Sequence, residues 1–238
     1  LLKKIFIELD YMSFLKIFIV LILIIISLNA DSPKKKILVI GDSISILYGS
    51  YLKEYIEDKY EYRVKGNLTD AIVNLDNPNG ANAGNSKMVL DYLKHFYDTE
   101  LSYNDDIILL NCGLHDIKTD PTTNAKAISL NEYKSNLDSI YQIIKHLNKK
   151  LIWINTTPVN DSIHNSIPVG FYRYNDDVVK YNSAADSIFN SYKIPIVDLY
   201  SFSKSFPSNS YSDHVHFKSA YSKLQAKYIM EFILNKNY

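Results

Sequence analysis

Ser43, in Gly41-Asp42-Ser43, and the pair Asp213 and His216, in Asp213-His214-Val215-His216, are side chains of the types that cleave acyl bonds. A serine alcohol is almost wholly protonated at neutral pH, and it becomes a useful nucleophile when an imidazole takes its proton as it attacks. An aspartate three residues before a histidine lets both side chains point the same way on a tight turn. The carboxylate then holds one ring nitrogen, the serine meets the other, and the tautomer is fixed. His214, next to Asp213, fits the base position less well and reads as an exposed loop histidine. A strand-Gly-Asp-Ser-helix turn by itself also serves as an anion cradle or a plain tight turn. Joined to Asp213 and His216 it points to a hydrolase.

These residues need elements to bring them together. Lys36 to Ile40 is β-branched and apolar without alternation, as expected of a strand buried on both faces. A helix is expected over 46–60, a short strand over 62–66, a loop rich in Asn, Asp, Pro and Gly over 67–83, and a helix over 86–97. Asp106 to Asn111 is the next strand and delivers Gly113 to Asp116 to the same edge as Ser43 if the sheet is parallel. A periodic helix over 131–149 carries Leu137, Ile140, Tyr141, Ile144 and Leu147 inward. The remaining expectations are a strand over 151–155, a helix over 176–192, a strand over 194–199 and a closing helix over 219–235. Such alternation argues a doubly wound α/β sheet, whose ligand crevice lies beyond the carboxyl ends of the strands.

Four blocks in this order resemble the SGNH (GDSL) hydrolases: Gly41-Asp42-Ser43, then Asn82-Ala83-Gly84-Asn85-Ser86, then Gly113-Leu114-His115-Asp116, then Asp213 to His216. The resemblance implies a three-layer α/β/α fold with a flavodoxin-like, five-stranded parallel sheet. It also implies Ser43, His216 and Asp213 as catalytic residues, with the Gly84 backbone N–H, Asn85 and the third block at the oxyanion and substrate. His115 stands where the family usually has an asparagine, and an imidazole N–H can make the same donation. An unperturbed imidazole titrates near neutral pH, so His115 would add an inflection to the pH profile that an amide would not. The stretches Asn111 to Lys118 and Thr156 to Val159 are similar to a branch of bacterial extracytoplasmic esterases. No cofactor or metal is implied.

The other polar candidates read as structural. Asp42 and Asp116 suit hydrogen bonds to loop backbone, and His95 and His146 lie on predicted helices as surface residues. Arg173 is either a solvated arginine or a contact for a polar or anionic substrate. Cys112, the lone cysteine, excludes an internal disulfide and reads as a small buried thiol. The sequence lacks Gly-x-Ser-x-Gly, Gly-x-Gly-x-x-Gly and a phosphate-loop lysine motif, which disfavours ordinary α/β-hydrolases, dinucleotide enzymes and nucleotide hydrolases.

The 238 residues are 47% hydrophobic and 22% charged, enough for one core, with 26 basic and 26 acidic residues balancing to zero formal charge. No charge run tracks a nucleic-acid backbone, so nucleic acid is not an expected partner. The 20 tyrosines accompany abundant Ile, Lys and Asn and reflect composition. Residues 1–30 read as a signal peptide or N-terminal membrane anchor, with Met12 an alternative start. The apolar run from Ile17, about 12 residues, is short of the roughly 20 that span a bilayer and fits a secretory segment ending near Ala30. Left uncleaved, residues 14–28 would associate with a membrane. Residues 31–238 form the expected single esterase domain, monomeric and extracytoplasmic. The expected activity is hydrolysis of small, chiefly acetyl, esters on a carbohydrate or similar polar molecule. Alternatives are a lysophospholipase or thioesterase, an O-acyltransferase, and a non-catalytic carbohydrate-binding protein on a degenerate hydrolase scaffold.

Overall fold

The computed structural model describes residues 33–98, 105–168 and 170–236. The signal or anchor segment and Met12 lie outside the described residues. Within the unit Lys35–Tyr238, strand β1 (Lys35–Ile40) buries its last four residues completely, as its unbroken apolar run requires. Helix α1 follows at Ser43–Ile56. It starts three residues earlier than the apolar period indicates because the Asp42 carboxylate caps it, accepting the Ile44 N–H at 3.0 Å. Strand β2 (Tyr60–Val64) is shifted two residues toward the N-terminus from its expected place.

The segment expected to be loop contains helix α2 (Leu68–Val73), nucleated by the Asn67 side chain on Thr69 N–H. Helix α3 (Ser86–Asp98) leads to strand β3 (Ile107–Leu110), and helix α4 (Leu130–His146), capped by Ser129, leads to strand β4 (Lys150–Ile154). Helix α5 (Asp161–Asn165), not anticipated, is capped by Asn160. Helix α6 (Asn175–Ser191) precedes strand β5, reduced to Ile196–Val197. The strand stops because Asp198 caps helix α7 (Leu199–Lys204), accepting the Ser201 N–H at 3.0 Å. Helix α8 (Ser219–Asn235) closes the domain where expected.

All five strands are parallel in the order β2-β1-β3-β4-β5. Helix α1 packs with α8, while α3 packs with α4 and α4 with α6; right-handed crossovers put the two groups on opposite faces. The result is the three-layer α/β/α sheet that the alternation predicts. The central strands β3 and β4 are apolar on both sides, with Trp153 against Phe189 at 4.7 Å between ring centroids.

Side-chain amides pin the loops that leave the strands. Asn111 Nδ2 donates to Ile154 O at 2.9 Å, tying the ends of β3 and β4. Asn182 on α6 uses its whole amide on one residue: its Oδ1 accepts from Thr156 N and its Nδ2 donates to Thr156 O, both at 2.8 Å. Asn182→Leu leaves both buried groups of Thr156 without a partner, each worth about 1–3 kcal/mol. The urea midpoint should therefore fall substantially with an unchanged slope. A midpoint equal to wild type would show that Thr156 finds other partners.

Candidate active site

Gly41 ends the first strand in a turn with no room for a side chain, because a Cβ there would lie 2.7 Å from Ser45 Cβ. Ser43 is therefore the first residue of α1. Its N–H belongs to the first turn, whose donors lack an intrahelical acceptor, and its side chain is 3% exposed.

The Ser43 hydroxyl lies 2.7 Å from His216 Nε2, and His216 Nδ1 lies 2.7 Å from Asp213 Oδ2. Asp213 Oδ1 accepts the Val215 and His216 backbone N–H groups at 2.9 and 2.8 Å, so the turn that delivers the histidine also orients the carboxylate. Burial would raise the Asp213 carboxyl, but the His216 ring and these two amides outweigh it and hold the group well below the usual carboxylate range. With Asp213 ionised, Nδ1 carries the proton and Nε2 is free to take the one from Ser43. The loop is closed by Ser212, whose N–H donates to His216 O at 2.8 Å.

The third block is a tight turn held from several sides. Gly113 has φ +150°, and a Cβ there would lie 2.4 Å from Thr156 Oγ1. Cys112 O accepts from the Tyr133 and Thr156 hydroxyls, both at 3.1 Å, and Leu114 O accepts from Arg173 Nε at 2.8 Å. Asp116 holds the Ser86 N–H with both carboxylate oxygens, at 2.9 and 3.0 Å, joining this block to the start of α3. Burial raises the Asp116 carboxyl to about 7 against those bonds. Asp42 and Asp116 thus hold backbone, as their sequence context indicates, and Cys112 is buried and unpaired.

His115 is buried, and its ring makes no hydrogen bond to another described residue. Burial first, then the positive charges of Lys118 and Arg173, pushes its ring well below the ordinary histidine value. The imidazole is therefore neutral at working pH. This corrects the expectation of a titration near neutrality.

The second block is less free than its spacing suggests. Gly84 has φ +71° with Met88 and Pro78 packed where a Cβ would go, and its N–H donates to Asn82 Oδ1 at 3.0 Å. Asn85 Oδ1 accepts the Met88 N–H at 3.0 Å, which caps α3. Both residues thus carry structural bonds in the resting site.

Two further assignments change. His214 is 6% exposed, so it is no exposed loop histidine: its Nδ1 faces His164 Nδ1 at 2.7 Å and its Nε2 faces Asp76 Oδ2 at 3.2 Å. Arg173 is 1% exposed and stacks over Phe171, 4.8 Å from the ring centroid. The bond from His214 brings the Asp76 carboxyl down to about 2. Asp76 and His164 carried no signal in the sequence, because nothing in a loop and a short helix announces that they will meet His214. Among the described residues no cluster of ligating side chains could hold a metal ion.

A buried serine, a tautomer-fixed histidine and a backbone-held aspartate at the carboxyl edge of a parallel sheet define a hydrolase-type site. The GDSL-like lipase/acylhydrolase family model matches residues 37–229, and the chain belongs to that family. Among solved structures it is similar to a lipase/acylhydrolase from Enterococcus faecalis, with TM-score 0.62 and 17% identity over 85% of this chain and 96% of that one. It is similar also to the acetyl xylan esterase AlAXEase, with TM-score 0.62 and 16% identity over 83% and 99% of the two chains. A catalytic mutant of the acetylxylan esterase Axe2 from Geobacillus stearothermophilus gives 0.61 and 16% over 84% and 94%. No curated protein sequence matches. The protein is a hydrolase acting on ester bonds.

Burial makes a testable statement about acid stability. Burial brings the His164 ring down to about 4, and His115 is depressed as well. Unfolded histidines take up protons near pH 6.5, so below that value the unfolded chain binds more protons than the folded one and stability falls with pH. The Asp116 carboxyl, raised to about 7, acts in the opposite sense over the same range, so the histidine contribution is read by difference: between about pH 6.5 and 4 the melting temperature of the wild type should fall relative to that of His164→Gln. Parallel pH dependences of the two proteins would contradict the neutral, buried state of the His164 ring.

Proposed function

We propose that the protein is a serine esterase that removes small acyl groups, chiefly acetyl, from a carbohydrate or similarly polar alcohol. The observation that carries this reading is the continuous line from Asp213 through His216 to the Ser43 hydroxyl, with 2.7 Å at each step.

In this mechanism Ser43 Oγ attacks the ester carbonyl while His216 Nε2 takes its proton. The tetrahedral intermediate collapses as His216 returns that proton to the leaving alcohol. Water then enters and attacks the acyl carbon as His216 takes its proton; the bond to Ser43 Oγ breaks, His216 returns the proton to that oxygen, and the carboxylic acid leaves. The oxyanion is met by the Ser43 N–H and by the neutral His115 ring, which has one N–H to give. The Gly84 N–H joins them by sharing its hydrogen between Asn82 Oδ1 and the oxyanion.

The size of the acyl group is inferred from what surrounds the serine. A groove of about 720 Å³ runs beside α1, β2 and α2, lined by Ile46, Leu47, Tyr62, Val64 and Ile72. Neither Ser43 nor His216 nor His115 lines it. If that groove accepted an acyl chain, hydrolysis would quicken with chain length; on the present reading nitrophenyl acetate is cleaved faster than the octanoate. The apolar segment before Asp31 supports an extracytoplasmic location, which N-terminal mass spectrometry of the native protein checks.

Ser43→Ala should leave less than about a hundredth of wild-type esterase turnover with folding intact; greater residual activity would remove Ser43 from the nucleophile's place. His115→Ala should lower kcat by roughly 10²–10³-fold with little change in KM, because the donation is made mainly in the transition state. His115→Asn should recover part of the loss. Because His115 is already neutral, that variant should keep the wild-type pH profile; an inflection that vanishes with His115→Asn would mean that the ring titrates during turnover.

A further inference from the structure

His214 and Asp76 take no part in the mechanism above, although the His214 ring lies 6.0 Å from that of His216. The turn from Ser212 to His216 is shaped by bonds within itself. Asp213 Oδ1 accepts the Val215 and His216 N–H groups, and Ser212 donates to His216 O through its N–H at 2.8 Å and its hydroxyl at 3.1 Å. Such bonds fix a shape and not a place. Among the described residues three hydrogen bonds lead out of the turn: one from His216 to Ser43, and two from the His214 ring. The first must yield during the reaction, when His216 turns its proton toward the leaving alcohol. The other two can hold the turn throughout.

His214 is 6% exposed and gripped on both sides, with Nε2 at 3.2 Å from Asp76 Oδ2 and Nδ1 at 2.7 Å from His164 Nδ1. With both nitrogens engaged it has none left to move a proton or to meet substrate. Asp76 is ionised, its carboxyl brought down to about 2 chiefly by this bond, and an ionised carboxylate only accepts. His214 Nε2 is therefore the donor of a charge-assisted hydrogen bond.

The accepting end belongs to the loop that leads to the second block. Asn82 Nδ2 donates to Leu75 O at 2.9 Å while Asn82 Oδ1 accepts the Gly84 N–H at 3.0 Å, so one amide couples the backbone beside Asp76 to Gly84. The Asp76 carbonyl accepts from Lys118 Nζ at 3.2 Å, three residues beyond His115. The backbone at Asp76 is thus tied to the second and third blocks, and its side chain holds the fourth.

We propose that Asp76 and His214 are positioning residues, whose hydrogen bond keeps the turn carrying His216 in register with the loops carrying Gly84 and His115, so that base and oxyanion donors meet the same carbonyl. This rests on the serine-esterase reading, which supplies the roles of those three residues.

The test measures nitrophenyl acetate hydrolysis and the rate at which a fluorophosphonate labels Ser43. Asp76→Ala, at a side chain 33% exposed, removes the acceptor without emptying the core. It should lower kcat by roughly ten- to a hundredfold with KM nearly unchanged, the cost of a displacement on the order of 1 Å, and should slow labelling alongside. Asp76→Asn keeps an acceptor and should recover most of the loss. His214→Leu keeps bulk without ring nitrogens and should match Asp76→Ala; the double variant should lose no more than either alone, because both remove one bond. Arg173, 3.9 Å from Asp76 Oδ1, is the other group that Asp76→Ala deprives, although Asp42 and Asp213 still act on it. A loss routed through Arg173 would multiply with that of His214→Leu, and multiplied losses overturn the proposal. So does a kcat within about twofold of wild type in Asp76→Ala, or a loss confined to KM. If His214→Leu does not fold, equal activity of Asp76→Ala and Asp76→Asn overturns it, because the hydrogen bond then makes no difference. If the wild type is inert on the ester, labelling decides: equal rates in wild type and Asp76→Ala remove the proposal alone, and a wild-type Ser43 that is never labelled removes the esterase reading and the proposal with it.

Discussion

The hydrogen bond between Ser43 and His216 joins residues 173 positions apart, and the rest of the domain can be understood as what holds those two ends together. Closing a loop of that length costs chain entropy that grows only slowly with length, whereas one hydrogen bond returns about a kilocalorie. The closure must therefore be stabilised elsewhere. It is stabilised where α1, which begins at Ser43, packs against α8, which begins three residues after His216. Tyr48, Leu52 and Ile56 on α1 and Ala226, Ile229 and Ile233 on α8 are all buried. The helices that immediately follow the nucleophile and the base thus carry the apolar burial that fixes the distance between them.

The third block is the other meeting point, and it shows how much backbone control a single loop needs. Gly113 removes the side chain that would strike Thr156, Tyr133, Thr156 and Arg173 each donate to a backbone carbonyl in or beside the turn, and Asp116 ties the turn to the Ser86 N–H at the start of α3. The His115 ring makes no hydrogen bond to another described residue. A turn held this firmly around an unbonded ring is arranged for a donor that need not reorganise when charge develops on the substrate.

Much of the site was legible because nucleophile, base and orienting acid sit in short local patterns. Gly-Asp-Ser at the end of an apolar strand and an Asp-x-x-His turn each define their geometry within a few residues. Strand-helix alternation likewise gave the sheet, since parallel strands buried on both faces are apolar without interruption. What escaped was set by caps and by distance. Asp42, Asn67 and Asp198 start helices through one side-chain bond, so α1 begins early, α2 forms inside an apparent loop and β5 is cut to two residues. His214 looked exposed because its partners, Asp76 and His164, are 138 and 50 positions away. Arg173 looked solvated for the same reason: Leu114 and Phe171 enclose it only once the sheet has formed.

Neutrality of His115 also bears on how an imidazole can serve as a donor in the third block. A protonated ring beside Arg173 and Lys118 would place a third cation in the same buried space, and both burial and those charges oppose it. The ring that remains offers one N–H and one bare nitrogen, much as an amide offers a donor beside an acceptor. The charges of Arg173 and Lys118, added to burial, thus keep His115 uncharged, so that its one N–H is available without a proton having first to leave the ring.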